Sequence, residues 1–248
     1  MEIHRVKTRL VNSYVIAYPE RILVVDVAVK CHRHVLGYIE QDLGRAIDDV
    51  ALVTCTHDDP DHMGGVLALA QLCAAEVALP LAAGRGHRKL FNNPTGPLNR
   101  IRTSARESLR PRAWNMYMNP ARDRAAAKAP QLAKDTASGS ERIEQSTSHR
   151  LKDGHSLPGF DDWQVIHTPG HTWDSCCYYH PQSGSLISGD TLLGSAKINR
   201  LVTPSIYSSR RQTLRSLAKL AQLKINTVYP GHGSVISGND LIGRHNLP

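Results

Sequence analysis

Apolar positions along the chain fall into short blocks separated by turn chemistry. Residues 10–18 (LVNSYVIAY) are rich in Val, Ile and Tyr and predict a strand. Pro19-Glu20 then turns the chain, and residues 22–27 predict a second strand. From 34 to 47, Val35, Leu36, Ile39, Leu43 and Ile47 recur near helical spacing. Residues 50–55 read as a short buried strand that runs straight into Thr56-His57-Asp58-Asp59-Pro60-Asp61-His62. Gly64-Gly65 opens an apolar helix over 66–75, and a strand follows at 77–79. After a long irregular stretch, strands return at 163–167, 176–180 and 185–188, the last two as a hairpin around Pro181-Gln182-Ser183-Gly184. Residues 210–223 predict an amphipathic helix with Leu214, Leu217, Ala218 and Ala221 inward and Arg211, Arg215 and Lys219 outward. A last strand at 225–229 leads into Pro230-Gly231-His232-Gly233.

This alternation suits a layered α/β fold, and 248 residues allow it a sizeable core in one domain, 1–248. The irregular stretch alters the picture because the charge gathers there. Residues 85–150 hold 14 Lys/Arg against 5 Asp/Glu, a balance of +9, while the rest of the chain sums to −1. A structureless loop of that length is improbable inside a compact domain. The segment therefore reads as a basic insertion of short helices, a lid over a site, with a plainly solvated surface as the other reading. Five cysteines (Cys31, Cys55, Cys73, Cys176, Cys177) without a CxxC pair fit buried thiols in a reducing compartment better than a disulfide scaffold. Neither a leader nor a membrane span is expected, so the expected location is cytoplasmic.

The chemistry sits at predicted strand ends. His57, Asp59, Asp61 and His62 lie within six residues, where alternating positions of a tight loop can turn inward and cup a cation. Imidazole mixed with carboxylate suits zinc, iron or manganese. Asp and His also suit a helix N-terminus, so a capping cluster is the other reading. His171, Asp190 and His232 each follow a later strand, and each is flanked by glycine. Layered α/β folds commonly build their sites at strand ends.

In order and spacing these residues resemble the metallo-β-lactamase fold superfamily. Its first motif, His-x-His-x-Asp-His, matches His57, Asp59, Asp61 and His62, and its later His, Asp and His match His171, Asp190 and His232. The resemblance implies a four-layer αββα sandwich of two mixed β-sheets flanked by helices. It implies two divalent metal ions, zinc first, with His57, Asp59 and His171 on one, Asp61, His62 and His232 on the other, and Asp190 bridging. It further implies a metallo-hydrolase in which a metal-bridging hydroxide attacks an ester, thioester or lactone, with Asp61 orienting that hydroxide. Asp190 argues against true β-lactamase activity, which usually lacks it. With a short stretch after His232 and only the basic segment between His62 and His171, neither a glyoxalase-type extension nor the large inserted domain of the RNA-cleaving branch is expected.

One departure matters. Asp59 stands where the superfamily has its second histidine, and the harder, charged carboxylate favours iron or manganese over zinc. Asp58 is a lesser candidate for that place. The expected substrate is a small anion, with Arg102, Arg106, Arg110 and Arg112 of the insertion as its binding residues. Tyr207 and His87 are candidate proton donors. A phosphodiesterase or nuclease is the main alternative, since Phe91, Trp114 and Tyr117 interleave with those arginines and could stack on bases. A di-iron redox protein or dioxygenase, as the carboxylate-bearing flavodiiron proteins suggest, is another. A non-catalytic binding protein is disfavoured by seven matching positions. No membrane partner is expected.

Overall fold

The computed structural model describes residues 1–8, 10–81, 83, 96–110 and 146–243. Its first sheet contains β1 (Glu2–Lys7), β2 (Asn12–Ala17), β3 (Ile22–Val25), β4 (Val50–Thr54), β5 (Glu76–Pro80) and β6 (His149–Leu151), side by side in that order. β1 to β3 run antiparallel, and β3 to β6 run parallel. The second half supplies β7 (Ser156–Leu157), β8 (Phe160–His167), β9 (Cys176–His180), β10 (Ser185–Gly189), the small hairpin β11 (Leu193–Ser195) and β12 (Arg200–Val202), then β13 (Thr227–Pro230) and β14 (Ile236–Ser237). The second sheet is ordered β14-β13-β10-β9-β8-β7, with β10 and β13 its parallel pair.

Period-two alternation makes the layers. Tyr14, Ile16, Leu23, Val25 and Leu52 project from one face of the first sheet onto Phe160, Trp163, Val165, Tyr178 and Ile187 of the second. The intervening residues Val15, Ile22, Val24, Val53 and Val77 face the other way, under α1 (His32–Gly37) and α3 (Val66–Cys73). On the far side of the second sheet, Ile166, Cys177, Tyr179, Leu186 and Val228 lie under Leu217 and Leu220 of α5 (Arg210–Leu220). Strands buried on both faces read as continuous apolar runs, as in β3 and β9. The result is helix, sheet, sheet, helix, as expected. Two further helices stand among the described residues: α2 (Pro60–Met63) follows β4, and α4 (Gly96–Ser108) lies within the basic segment.

Three expectations shift. β1 was not anticipated from the sequence; it pairs along all of β2 and forms the sheet edge. The helix expected over 34–47 is divided. α1 passes into a wide π turn at Tyr38–Asp42, Gly44 reverses the chain at a φ of 62°, and a 3₁₀ turn at Ile47–Asp49 enters β4. The buried face of α5 is Thr213, Ser216, Leu217 and Leu220, whereas Leu214 is 54% exposed. The hydroxyls set that face: Ser216 Oγ donates to the Pro169 carbonyl (2.8 Å) and Thr213 Oγ1 to that of Ser209 (3.1 Å), which lets α5 lie close against the 169–170 turn.

The two sheets are tied at one end by β2. Asn12 is fully buried; its Nδ2 donates to the carbonyls of Pro230 (2.8 Å) and Gly233 (3.1 Å), and its backbone N–H to that of Gly231 (2.7 Å). The Tyr14 hydroxyl also donates to Pro230 (2.7 Å). Asn12→Ala strips two donors from buried carbonyls and should lower the unfolding free energy by about 1–3 kcal/mol, read from urea titrations of variant and parent. Equal midpoints and slopes would mean the 230–233 loop is held without it.

Candidate metal centre

The loop between β4 and α3 is built to aim side chains. Pro60 takes the first helical position of α2, where a missing N–H costs nothing. Asp59 is the N-cap residue, extended at φ −76° and ψ 147°, yet its side chain caps no helix amide. Its backbone carbonyl receives His62 N–H (2.9 Å) and Met63 N–H (2.8 Å), which leaves the carboxylate to turn away from the helix. The capping alternative is thus not what this aspartate does. Asp58 lies outside the cluster; its backbone N–H donates to Asp174 Oδ2 (2.7 Å).

The later residues come in from other strand ends. His171 follows β8 in the Thr168-Pro169-Gly170 turn, Asp190 follows β10, and His232 follows β13. At Gly231 a Cβ would stand 2.5 Å from His62 Cε1 and 2.8 Å from Asp190 Oδ1, so glycine is what lets this loop lie against the cluster. Gly170 has a φ of 151°, and a Cβ there would meet Thr213 Oγ1 at 2.3 Å; glycine admits α5 beside His171.

Together they form three overlapping groups: His57, Asp59 and His171; Asp61, His62 and His232; and His57, His62 and Asp190. Within each group the ligand atoms lie within 4.8 Å of one another. Asp59 Oδ2 is 3.3 Å from His57 Nε2 and 3.4 Å from His171 Nε2. Asp61 Oδ2 is 3.3 Å from His232 Nε2 and 3.8 Å from His62 Nε2. Asp190 reaches both sides: Oδ1 lies 3.4 Å from the Nε2 atoms of His62 and His232, and Oδ2 lies 3.5 Å from that of His171.

These spacings test the fit to a metal. Two ligands about 2.0–2.1 Å from a tetrahedral ion stand about 3.4 Å apart. Ordinary hydrogen bonds between them would be shorter, at about 2.7–3.2 Å. The Nε2 atoms of His57, His62 and His171 and Oδ1 of Asp190 are buried and make no hydrogen bond among the described residues. Buried polar atoms without hydrogen bonds are costly, and a cation resolves all of them at once. The residues fit the group.

The opposite ring nitrogens are tethered. His171 Nδ1 donates to the Ile206 carbonyl (2.7 Å), His62 Nδ1 lies 2.9 Å from Asp26 Oδ2, and His57 Nδ1 lies 3.1 Å from Thr56 Oγ1. A proton held on Nδ1 leaves Nε2 as the lone pair aimed into the cluster. Asp26 is fully buried at a φ of 61° and also accepts the Thr56 N–H (2.7 Å) and hydroxyl. It was not singled out from the sequence, although a charged residue ending the apolar run ILVV was a visible signal.

Burial opposes charge throughout, and the neighbours overcome it. At Asp59, His57, His171 and Arg100 outweigh burial and hold the carboxyl well below its usual range. At Asp190, His232 and His62 do the same. Asp61 is lowered to about 2, burial being outweighed by His62 and His232. Conversely, His62 is raised by Asp26, Asp61 and Asp190 despite burial, and His232 is raised to about 9 by Asp190 and Asp61.

The basic segment contributes one unforeseen group. Arg100 of α4 places Nη2 on Asp59 Oδ2. Of the arginines singled out from the sequence, Arg110 pairs with Glu107 (2.9 Å), Arg106 lies 3.6 Å from the same carboxylate, and Arg102 is exposed. Arg112 and His87, like Phe91, Trp114 and Tyr117, lie outside the described residues. Tyr207 enters through its backbone, exchanging hydrogen bonds with the Thr103 hydroxyl (3.3 Å each). All five cysteines are buried and none is in a disulfide. Among the described residues no helix is long and apolar enough to cross a membrane.

Comparisons with known proteins bear on the same residues. Residues 6–232 match the family described as the metallo-beta-lactamase superfamily. The chain is 32% identical over 98 residues to "Probable metallo-hydrolase YqjP" of Bacillus subtilis (strain 168), covering 38% of this chain and 31% of that protein. It is 38% identical over 115 residues to a "Hydroxyacylglutathione hydrolase" of Bartonella henselae, covering 44% and 43%. The chain thus spans less than half the length of either relative. A crystal structure of a metallo-beta-lactamase family protein from Thermus thermophilus shares the fold, with a TM-score of 0.59 and 23% identity over 98% of this chain and 76% of that one. With the family match running from β1 through His232, the chain belongs to the metallo-beta-lactamase superfamily.

Proposed function

We propose that the protein is a metal-dependent hydrolase of a small ester, thioester or lactone. The observation that carries this reading is the convergence of four histidines and three aspartates from four strand ends, with buried Nε2 atoms aimed at a common point. His57, Asp59 and His171 would hold one divalent ion, Asp61, His62 and His232 a second, and Asp190 would reach both. Ions held there supply Lewis acidity and lower the pKa of water to near 7, which provides a nucleophile at neutral pH. Asp61 is the most open of the carboxylates, 27% exposed, and its low pKa keeps it an acceptor able to orient water at the cleft mouth. The hydroxyacylglutathione hydrolase relative favours a thioester within this class. Zinc is proposed first, because four imidazoles and three carboxylates suit it, with iron or manganese next because Asp59 adds a hard ligand. The protein is proposed to act in the cytoplasm on a small anion.

Three measurements bear on this. Asp190→Ala should remove most bound metal, read by elemental analysis, and abolish turnover across a panel of lactone, thioester and phosphodiester substrates. Two fully occupied ions in that variant would sink the assignment, and preference for the phosphodiesters would replace the reading with a nuclease.

Asp59→His exchanges a hard ligand for imidazole and should raise the ratio of zinc to iron retained under competition. An unchanged ratio would mean that Asp59 binds no metal.

Metal must displace protons from its histidines. After chelation, the proton on His232 stabilises the fold fully below about pH 6.5, and that contribution is lost as pH rises through about 9. Zinc uptake at pH 7.5 should therefore release protons, detected by calorimetry in buffers of different ionisation enthalpy, and the release should shrink above pH 9. Proton-neutral uptake at pH 7.5 would contradict the assignment of His232.

A further inference from the structure

The cluster opens to solvent on one side. His57, His62, His171 and His232 are at most 4% exposed, whereas the side chains of Asp59, Asp61 and Arg100 are 16%, 27% and 31% exposed. Among the described residues, the more exposed groups at the cluster are therefore two carboxylates that face the proposed ions and one guanidinium.

Arg100 is held there by the helix that carries it. One residue before it, Asn99 Nδ2 donates to the Ser208 carbonyl (3.1 Å), and three residues after it, Thr103 Oγ1 donates to that of Tyr207 (3.3 Å). The adjacent carbonyl, Ile206, receives His171 Nδ1. One loop thus fixes a ligand ring and the cation beside it. A guanidinium carries five donors in a planar fork and is always charged. Among the described residues, Arg100 uses one of them, on Asp59. Glu107 occupies Arg110 and neighbours Arg106, which leaves Arg100 as the arginine of α4 that reaches the cluster.

We propose that Arg100 is the residue that selects the substrate, its unused fork receiving an oxyanion, carboxylate or phosphate, carried within a few bonds of the scissile acyl group. A fork of this kind matches two oxygens of such a group. Because it touches a proposed ligand, the anion it binds must be close to the reacting bond. This rests on the hydrolytic reading above. In the reaction, the oxygen of water joins the acyl carbon and the C–S bond breaks with its electron pair going to sulfur. Sulfur takes one proton, and the carboxylic acid formed releases the other.

The test uses S-acetylthioglycolate, its neutral methyl ester, and S-acetyl-2-mercaptoethyl phosphate, with thiol release as the readout. Parent, Arg100→Ala and Arg100→Lys are compared after their metal content is measured. In Arg100→Ala the preference for an anionic over the neutral thioester should fall about 10–100-fold, through KM, with metal content equal to the parent. Arg100→Lys should recover part of it, as a point charge without the fork. Whichever anion loses more identifies carboxylate or phosphate as the natural group. Equal losses on charged and neutral thioesters, or loss of metal in Arg100→Ala, would overturn the proposal and leave Arg100 as a structural partner of Asp59. If the metal-loaded parent hydrolyses none of the three, the hydrolytic reading fails by itself. Calorimetric titration with succinate and with inorganic phosphate then decides on Arg100: tenfold weaker binding in Arg100→Ala supports it, and equal binding overturns it.

Discussion

Three carboxylates and four imidazoles share one cleft, their donor atoms 3.3–3.8 Å apart, and most of them are cut off from water. Carboxylates gathered this closely repel one another, and buried imidazoles without partners lose solvation. The arrangement persists because positive charge meets the aspartates, from Arg100 at Asp59 and from the neighbouring imidazoles or a bound cation. It also requires rings held by their far nitrogens, which Asp26, Thr56 and the Ile206 carbonyl supply to His62, His57 and His171. Among the described residues, the Nε2 atoms of His57, His62 and His171 and Oδ1 of Asp190 make no hydrogen bond, which fits the proposed metal better than an ordinary ion-pair network.

The two-sheet architecture serves that requirement. His57 to His62 come from the end of β4 in the first sheet, while His171, Asp190 and His232 come from the ends of β8, β10 and β13 in the second. Their separation depends on how the sheets stack. Trp163 and Tyr178 set that stacking by filling the space between sheets, and Asn12 and Tyr14 tie the 230–233 loop directly to β2. The close approach at Gly231 then brings His232 beside His62 without backbone collision. Stability and site geometry are therefore coupled here. Loosening the inter-sheet core would move histidines that lie far from it in sequence.

Much of this was legible in the sequence because the signals were local. The strand runs, the glycine-flanked histidines and the six-residue loop each announce themselves within a short window; their order carried the resemblance to the superfamily, and the resemblance implied the layers. What escaped depended on tertiary facts. Asp26 looks like the ordinary end of a strand until β3 is laid beside β4 and its carboxylate reaches Thr56 and His62. The inward face of α5 was misjudged because Thr213 and Ser216, polar by composition, find carbonyl partners and lie inside, while Leu214 lies out. The charge of the basic segment was evident, but which arginine faces the cleft is set by the phase of α4. Gly96, Thr103 and Glu107 face inward, and that rotation brings Arg100 to Asp59 while leaving Arg102 in solvent.

The position of that segment also has a physical reason. β4 and β5 are parallel neighbours, so both point their C-terminal ends toward the edge where the ligand loop begins. β6 is parallel to β5 as well, and parallel neighbours require a crossover long enough to return the chain to the opposite end. The connection from Pro80 to His149 must therefore start on the side of the sheet where His57 lies and travel back, which allows α4 to be set down at the cleft. A loop joining antiparallel strands would need only a few residues and would have no such freedom. Asp59 and Arg100 acquire a common logic from this topology. A carboxylate at a position where the superfamily carries imidazole adds a negative charge to the proposed ligand set, and Arg100 on the crossover meets it. Its guanidinium offsets that charge and still has donors to spare, so one cation can balance the ligand set and face an incoming anion.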